Sequence, residues 1–353
     1  MGRSEWLVAQ KPQNEHELMV AEIAESRGFG VGPNATRDSR CAGVGPVPRI
    51  AVVILSFNQR EQTLICLRHL LALALAQAEG PFDVLLWDNG SVDGTAEAVR
   101  ETFPAVRVHA SPRNLGVAGG RNAAARMALE YFEPALLLFL DNDIYVRKGF
   151  VSALARAFSE SGSTRIGQVQ AKLLLSDQPG IINYGGGSNL QFWRGNTRPV
   201  GCGEVDRGQY DRRKRCVACG GAMMVRADVF QKLGGFDELF SPYGPEDIDF
   251  SLRLQSAGWE SWYIPDAVGL HDFNHTFASQ GYTEQYAQHR SKHWIDLMRR
   301  HASPMQWAGF FFFGLPIIAS RVMLREARKG NLIAALRGLV RGAIVRDGAD
   351  TKR

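Results

Sequence analysis

The stretch LLLFLDNDIYV, residues 136–146, decides the fold. Five consecutive apolar residues end abruptly in Asp141-Asn142-Asp143. So short and pure an apolar run has the pattern of a strand covered on both faces, as in a parallel sheet. The preceding segments repeat the theme. IAVVILSF (50–57) and FDVLLWDNG (82–90) are apolar runs that end in polar residues, and VRVHAS (106–111) reads as a short strand. Between them, QTLICLRHLLALALAQA (62–78), DGTAEAVRETF (93–103) and VAGGRNAAARMALEYF (117–132) have helical spacing. This alternation predicts an α/β domain with a doubly wound, mostly parallel sheet and helices on both faces. Ligands of such sheets bind beyond the carboxyl ends of the strands. SFNQR, WDNGSVDGT and DNDIY all fall at that edge.

The 353 residues, 45% apolar and 22% charged, suit an ordinary globular protein with one large domain or two smaller ones. The net charge of +5 is concentrated at one end: residues 321–353 hold nine Lys/Arg against three Asp/Glu. No folded basic module interleaved with aromatic or polar readers is present, so nucleic acid is not an expected partner. Residues 302–320 are 19 in number and carry no charge, which is just long enough to span a bilayer. Pro304, Gly309, Gly314 and Pro316 interrupt that run. An apolar segment followed by basic residues resembles an interfacial anchor meeting anionic lipid, so a helical, membrane-associating tail is expected over 301–353. Residues 1–48 read as a short helix and a Gly/Pro-rich linker, and 49–300 as the α/β domain. The N-terminus lacks the apolar core of a signal peptide, and five cysteines are an odd number. A reducing, cytoplasmic setting on the inner face of the membrane is expected.

Asp141 and Asp143, one residue apart at a strand end, can share a hard cation such as Mg2+ or Mn2+, or simply cap a turn. Asp88 also follows an apolar strand, in a turn where Asp-Asn-Gly is routine. The glycines of RNLGVAGGRNAA (113–124) let a ligand approach the backbone, and Arg113 and Arg121 can offset negative charge. YGPEDIDFSLRLQSAGW places Pro245, Glu246 and Asp247 in a helix's first turn, where Pro and acidic residues are favoured in any case. Cys216-Val-Ala-Cys219, with Cys202 nearby, lacks the fourth partner of a structural zinc site. Gly220 and Gly221 read as clearance near a ligand, and Trp193 with Arg194 as an acceptor-facing loop.

Together, VVILSFNQR, WDNGSVDGT, NLGVAGGRNAA, FLDND, GGFDELFSPYGPEDIDFSLRLQSAGW and YIPDAVGLH stand in the order found in family 2 glycosyltransferases. The chain resembles the bacterial rhamnosyl- and galactofuranosyltransferase-like branch over residues 50–271. The resemblance implies a GT-A fold, a UDP- or dTDP-sugar donor, a divalent metal (Mn2+ or Mg2+) and inversion at the anomeric carbon. It also implies a cell-envelope glycan or lipid-linked acceptor. By the same resemblance Asp141 and Asp143 are metal ligands of a D-x-D motif, joined by His271, with His275 as the alternative. Imidazole beside carboxylate suits Mn2+ better than Ca2+. Asp88 would hold the donor's base, while Ser56, Asn58, Asn89, Asn114, Gly116, Gly120, Arg121 and Asn142 would line the donor. Asp247 would be the general base, already ionised at its ordinary pKa of about 3.9, with Glu246 as runner-up. Asp249 would pair within its helix. A nucleotidyltransferase would instead carry a Gly-rich basic loop after the first strand, where this chain has SFNQRE. An inactive nucleotide-sugar- or glycan-binding module would have no need of Asp247.

Overall fold

The computed structural model describes residues 48–75, 80–160, 163–194, 196–218, 220–272 and 284–317, with positions 320, 333, 336, 337 and 340. Residues 1–47, Cys219, His275 and most of the basic tail lie outside the described residues. The strands in chain order are β1 (Ile50–Ser56), β2 (Asp83–Asp88), β3 (Arg107–Ala110), β4 (Leu136–Asp141), β5 (Ile144–Val146) and β6 (Ile166–Leu175). They are followed by β7 (Ile182–Tyr184), β8 (Ser188–Gln191), β9 (Asn196–Pro199), β10 (Lys214–Arg215), β11 (Ala222–Arg226) and β12 (Glu260–His271).

The main sheet runs β10-β12-β6-β11-β4-β1-β2-β3, and β8 and β9 form a separate hairpin. Alternation along β1 shows why its run is apolar throughout. Ile50, Val52 and Ile54 pack with Leu64, Leu67 and Leu70 of the helix Arg60–Leu75 on one face. Ala51 and Val53 pack on the other, with Ala124, Ala125 and Ala128 of the helix Gly116–Phe132. Successive strand residues point to opposite faces, so a strand covered on both sides is apolar at consecutive positions unless a buried polar side chain finds a partner, as Gln168 and Lys172 of β6 do. On the second face Phe139 of β4 meets the rings of Phe236 and Phe230 at 5.0 and 5.2 Å. Truncating so buried a ring costs about 3–5 kcal/mol.

Helices on both faces agree with the sequence reading, but the sheet is mixed rather than mostly parallel. β3-β2-β1-β4 is wholly parallel, and β12 runs parallel to β6. β11 lies antiparallel between β4 and β6. Topology supplies the reason. β6 ends at the carboxyl edge, and among the described residues no α-helix crosses back before β11. The next long strand therefore starts at that edge and runs back, which only antiparallel pairing allows. This return brings Gly220 and Gly221 beside the strand tips. The helix Glu246–Ser256 begins at the same edge, and β12 climbs to it again, ending at His271 beside β5.

Candidate active site

Asp141, which ends β4, and Asn142 and Asp143 of the turn after it take different partners. Asp141 lies 2.5 Å from Nη2 of Arg121. Asn142 is buried, and its Nδ2 donates to Thr63 Oγ1 at 2.9 Å and to Ser56 Oγ at 3.5 Å. Asp143 is buried, with Oδ1 3.4 Å from His271 Nε2. A carboxylate, a carboxamide and a second carboxylate are thus separated by backbone direction alone.

The loops after β1, β2 and β3, where the expected donor residues lie, are sewn together mostly by neutral hydrogen bonds. Asn89, almost fully buried, accepts from Trp87 Nε1 and Leu115 N, and donates to Asn114 Oδ1 and the Gly116 carbonyl. Asp88 Oδ1 accepts from Ser91 N at 2.9 Å and closes the Asp-Asn-Gly turn. Asn58, at φ +51°, accepts from Val92 N and donates its own N–H to Ser91 Oγ. Ser56 Oγ lies 2.8 Å from Thr63 Oγ1. A Cβ on Gly120 would stand 2.6 Å from Leu55 Cδ1, so this glycine serves helix-to-strand packing. Gly116 holds φ +73°, and a Cβ there would meet Ser241 Oγ at 2.9 Å. Of the expected donor residues, Asn58 and Asn114 are exposed, whereas Ser56, Asp88, Asn89, Asn142 and Arg121 are buried.

Arg121 joins the two acidic motifs. Its Nη1 donates to Glu246 Oε1 at 2.9 Å while Nη2 holds Asp141. Asp247, next to Glu246, takes a different environment. Its Oδ2 accepts from Gly220 N and its Oδ1 from Ile248 N, each at 2.6 Å. Burial raises the pKa of Glu246 above the usual carboxylate range, and the charge of Asp247 adds to it against Arg121. Burial also raises Asp247, opposed by the Gly220 and Ile248 N–H groups and by Arg121. This corrects the expectation of an ordinary, unperturbed Asp247: folding buries Glu246 and partly buries Asp247 beside it, so the two carboxyls share a poorly solvated site. Asp249 is the opposite case. Burial works against its charge, but the hydrogen bond from His301 and the guanidinium groups of Arg253 and Arg300 outweigh it and hold it low. Its salt bridges to Arg253 at 2.7 Å and Arg300 at 3.0 Å make it an anchor for the helix.

His271 is oriented by a residue that sequence reasoning missed. Asn183 Oδ1, on β7, lies 2.8 Å from His271 Nδ1. An amide oxygen there takes the Nδ1–H and leaves Nε2 toward Asp143. Burial alone would lower the His271 pKa, yet the hydrogen bond and charge of Asp143 outweigh it and raise it. A proton or a cation between Nε2 and Asp143 satisfies this pair equally. The donor set therefore fits a divalent ion through Asp143 and His271, with Asp141 engaged by Arg121. Among the described residues no three His, Cys, Asp or Glu side chains gather tightly enough to cage an ion by themselves. Gly221 passes so close to the Asp141 carboxylate that a Cβ would overlap it. Cys216 is buried, and burial pushes its thiol up to about 12.

A sequence profile described as "Glycosyltransferase like family 2" matches residues 48–302. The chain belongs to glycosyltransferase family 2. It is 30% identical over 281 residues to the N-acetylglucosaminyl-diphospho-decaprenol L-rhamnosyltransferase of Mycobacterium tuberculosis, across 74% of this chain and 89% of that one. Glycosyltransferase AglE of Haloferax volcanii is 25% identical over 238 residues, 64% of this chain and 67% of the relative. Among solved structures, GalNAc-T7 with UDP, GalNAc and Mn2+ superposes with a TM-score of 0.54 at 15% identity, covering 72% of this chain and 48% of that chain. TarS residues 1–349 of S. aureus superpose with a TM-score of 0.51 at 15% identity, covering 83% and 80% of the two chains. These likenesses establish the GT-A glycosyltransferase fold. Family membership therefore agrees with the reading from the six motifs.

Proposed function

We propose that this family 2 glycosyltransferase moves a hexose, rhamnose- or galactose-like, from a UDP- or dTDP-sugar to a lipid-linked glycan acceptor with inversion. The observation that carries the reading is Arg121 bridging Asp141 and Glu246, which brings the strand-end motif and the acid–base motif to one edge. The 30% identity to a rhamnosyltransferase whose name specifies a diphospho-decaprenol acceptor supports the sugar and acceptor classes. Asp247 is the general base. Its carboxylate is aimed by two backbone N–H groups, whereas Glu246 is tied to Arg121.

In the single displacement, the acceptor hydroxyl oxygen forms a bond to the anomeric carbon from the face opposite the diphosphate. The carbon–oxygen bond to the diphosphate breaks, and the hydroxyl proton passes to Asp247. Asp143 and His271 would hold Mn2+ or Mg2+, which when bound offsets the charge of the departing nucleoside diphosphate. Asn183 keeps the His271 imidazole in the tautomer that ligation needs. Asp88 and the exposed Asn58 and Asn114 face the nucleoside. No described helix is long and apolar enough to cross a membrane. A peripheral position on the inner leaflet, through the C-terminal segment, brings the site to a polyprenyl-linked acceptor.

Transfer of radiolabelled sugar from candidate UDP- and dTDP-sugars into a polyprenyl-diphosphate glycan, followed by NMR of the new linkage, tests this reading. One donor is expected to label the lipid-linked product with inverted anomeric configuration. Label in water-soluble sugar alone, or retention, would contradict it.

A further inference from the structure

Ser303 caps a short helix, Pro304–Gly309, in a capping box with Gln306 and with Pro304 at the first helical position. The helix passes directly into a π-helical turn, Phe310–Gly314. That turn has an inner and an outer side. Phe310 is buried in a cluster with Phe192, Phe240, Trp294, Met298 and Ile248, the residue that follows Asp247. The inner contact is tight. A Cβ on Gly309 would stand 3.0 Å from Trp193 Cβ, and one on Gly314 would overlap the Trp193 carbonyl. The outer side is bare: Met305 is 84% exposed, Phe312 77%, Phe313 61% and Phe311 57%. Trp193, half-exposed, adds its ring at the border, with the Arg194 guanidinium 4.8 Å from its centroid.

Three consecutive exposed phenylalanines held on a buried base are not a normal water-facing surface. We propose that the Met305, Phe311, Phe312 and Phe313 ridge inserts into the interfacial layer of an anionic lipid bilayer, with Trp193 and Arg194 at headgroup level. Charge selects this occupant. The chain directly after the ridge carries nine basic against three acidic residues over 321–353, while the rest of the molecule has a net charge of minus one. Apolar insertion beside a basic excess is the combination that anionic membranes bind, whereas a second copy of the same segment would meet like charge. Aromatic rings and an arginine at the border match the amphipathic belt of a membrane interface. Because Phe310 and Ile248 share one apolar cluster, docking the ridge also fixes the helix that bears Asp247 relative to the lipid. This inference rests on the reading of a lipid-linked acceptor, and it assigns the surface by which that acceptor's membrane is met.

The test is sedimentation of the full chain with vesicles of phosphatidylcholine alone or mixed with phosphatidylglycerol, comparing wild type with Phe312→Ser/Phe313→Ser. Both positions are exposed, so an unchanged circular dichroism melt is expected for the variant. Wild type should pellet with the anionic vesicles and less with the neutral ones. The double variant should partition about 100-fold more weakly, from roughly tenfold per buried ring lost. Equal binding by variant and wild type would overturn the proposal. So would a wild type that ignores vesicles, including one that self-associates in equilibrium sedimentation through the same residues. Titrating UDP and dTDP into the same samples separates the two readings. Nucleotide bound without vesicle binding removes only the ridge, and vesicle binding without nucleotide removes only the donor reading.

Discussion

The two halves of the carboxyl edge are built on different physics. The half from β1 to the start of the helix Gly116–Phe132, the proposed donor side, is held mostly by neutral groups whose hydrogen bonds close on one another, with Asn89 alone contributing four and the Asp88 carboxylate closing one turn. The half around the end of β4 and the helix Glu246–Ser256 concentrates Asp141, Glu246 and Asp247 around one buried guanidinium. A neutral network sets shape and tolerates changes of pH. A cluster with more carboxylates than counter-charges has shape and protonation linked, so perturbing it alters activity and stability together.

The contrast breaks most visibly at Asp247. Asp247→Asn is expected to lower transfer roughly 10²–10⁴-fold, the range for a lost general base, while nucleotide binding persists. Steady-state transfer and calorimetry on the same preparation check it. Arg121→Gln comes next. Removing one partner of a buried ion pair costs about 3–5 kcal/mol, so denaturant unfolding should show a loss of that size. Arg121→Lys should recover only part, because an ammonium does not fork to two carboxylates. On the neutral side, Asn89→Ala leaves buried donors and acceptors unmatched at about 1–3 kcal/mol each, read as a lower melting temperature with little change in the pH profile. Asn183→Ala should be milder still, weakening Mn2+ binding about 10-fold or more through the freed His271 ring, measured by electron paramagnetic resonance of the free ion.

The pH dependence sharpens the same comparison, and its sign follows from burial. As the proposed base, Asp247 must be ionised to accept a proton, and burial raises its pKa. Activity should therefore be lost as pH falls through a value above the ordinary 3.9 or so of an aspartate. For stability, a carboxyl whose folded pKa is raised contributes fully below its unfolded pKa, and that contribution is lost as pH rises through the folded value. Asp249, with its pKa lowered, contributes above its unfolded pKa and loses that contribution as pH falls through the folded value. Unfolding of Asp247→Asn and Asp249→Asn across pH should separate the two trends.

What was legible in the sequence follows the same division. Pure apolar runs ending in Asp or Asn placed β1, β2 and β4 and their tips, because covering both faces favours apolar residues at every position. Strand direction was not legible: the five residues of β11 carry no mark of antiparallel pairing, which goes with the lack of a described crossover helix between β6 and β11. Motif resemblance picked out the family, but it did not show that Arg121 would be buried between Asp141 and Glu246. Asn183 left no local signal at all, since its partner His271 lies on another strand and only the folded sheet brings them together.

The most direct test is calorimetric titration of UDP and dTDP into wild type, Asp143→Ala and Asp247→Asn, each with and without Mn2+. The account predicts Mn2+-dependent binding of one nucleotide by wild type and Asp247→Asn, and none by Asp143→Ala. Failure of folded wild type to bind either nucleotide, or equal binding by Asp143→Ala, would contradict it.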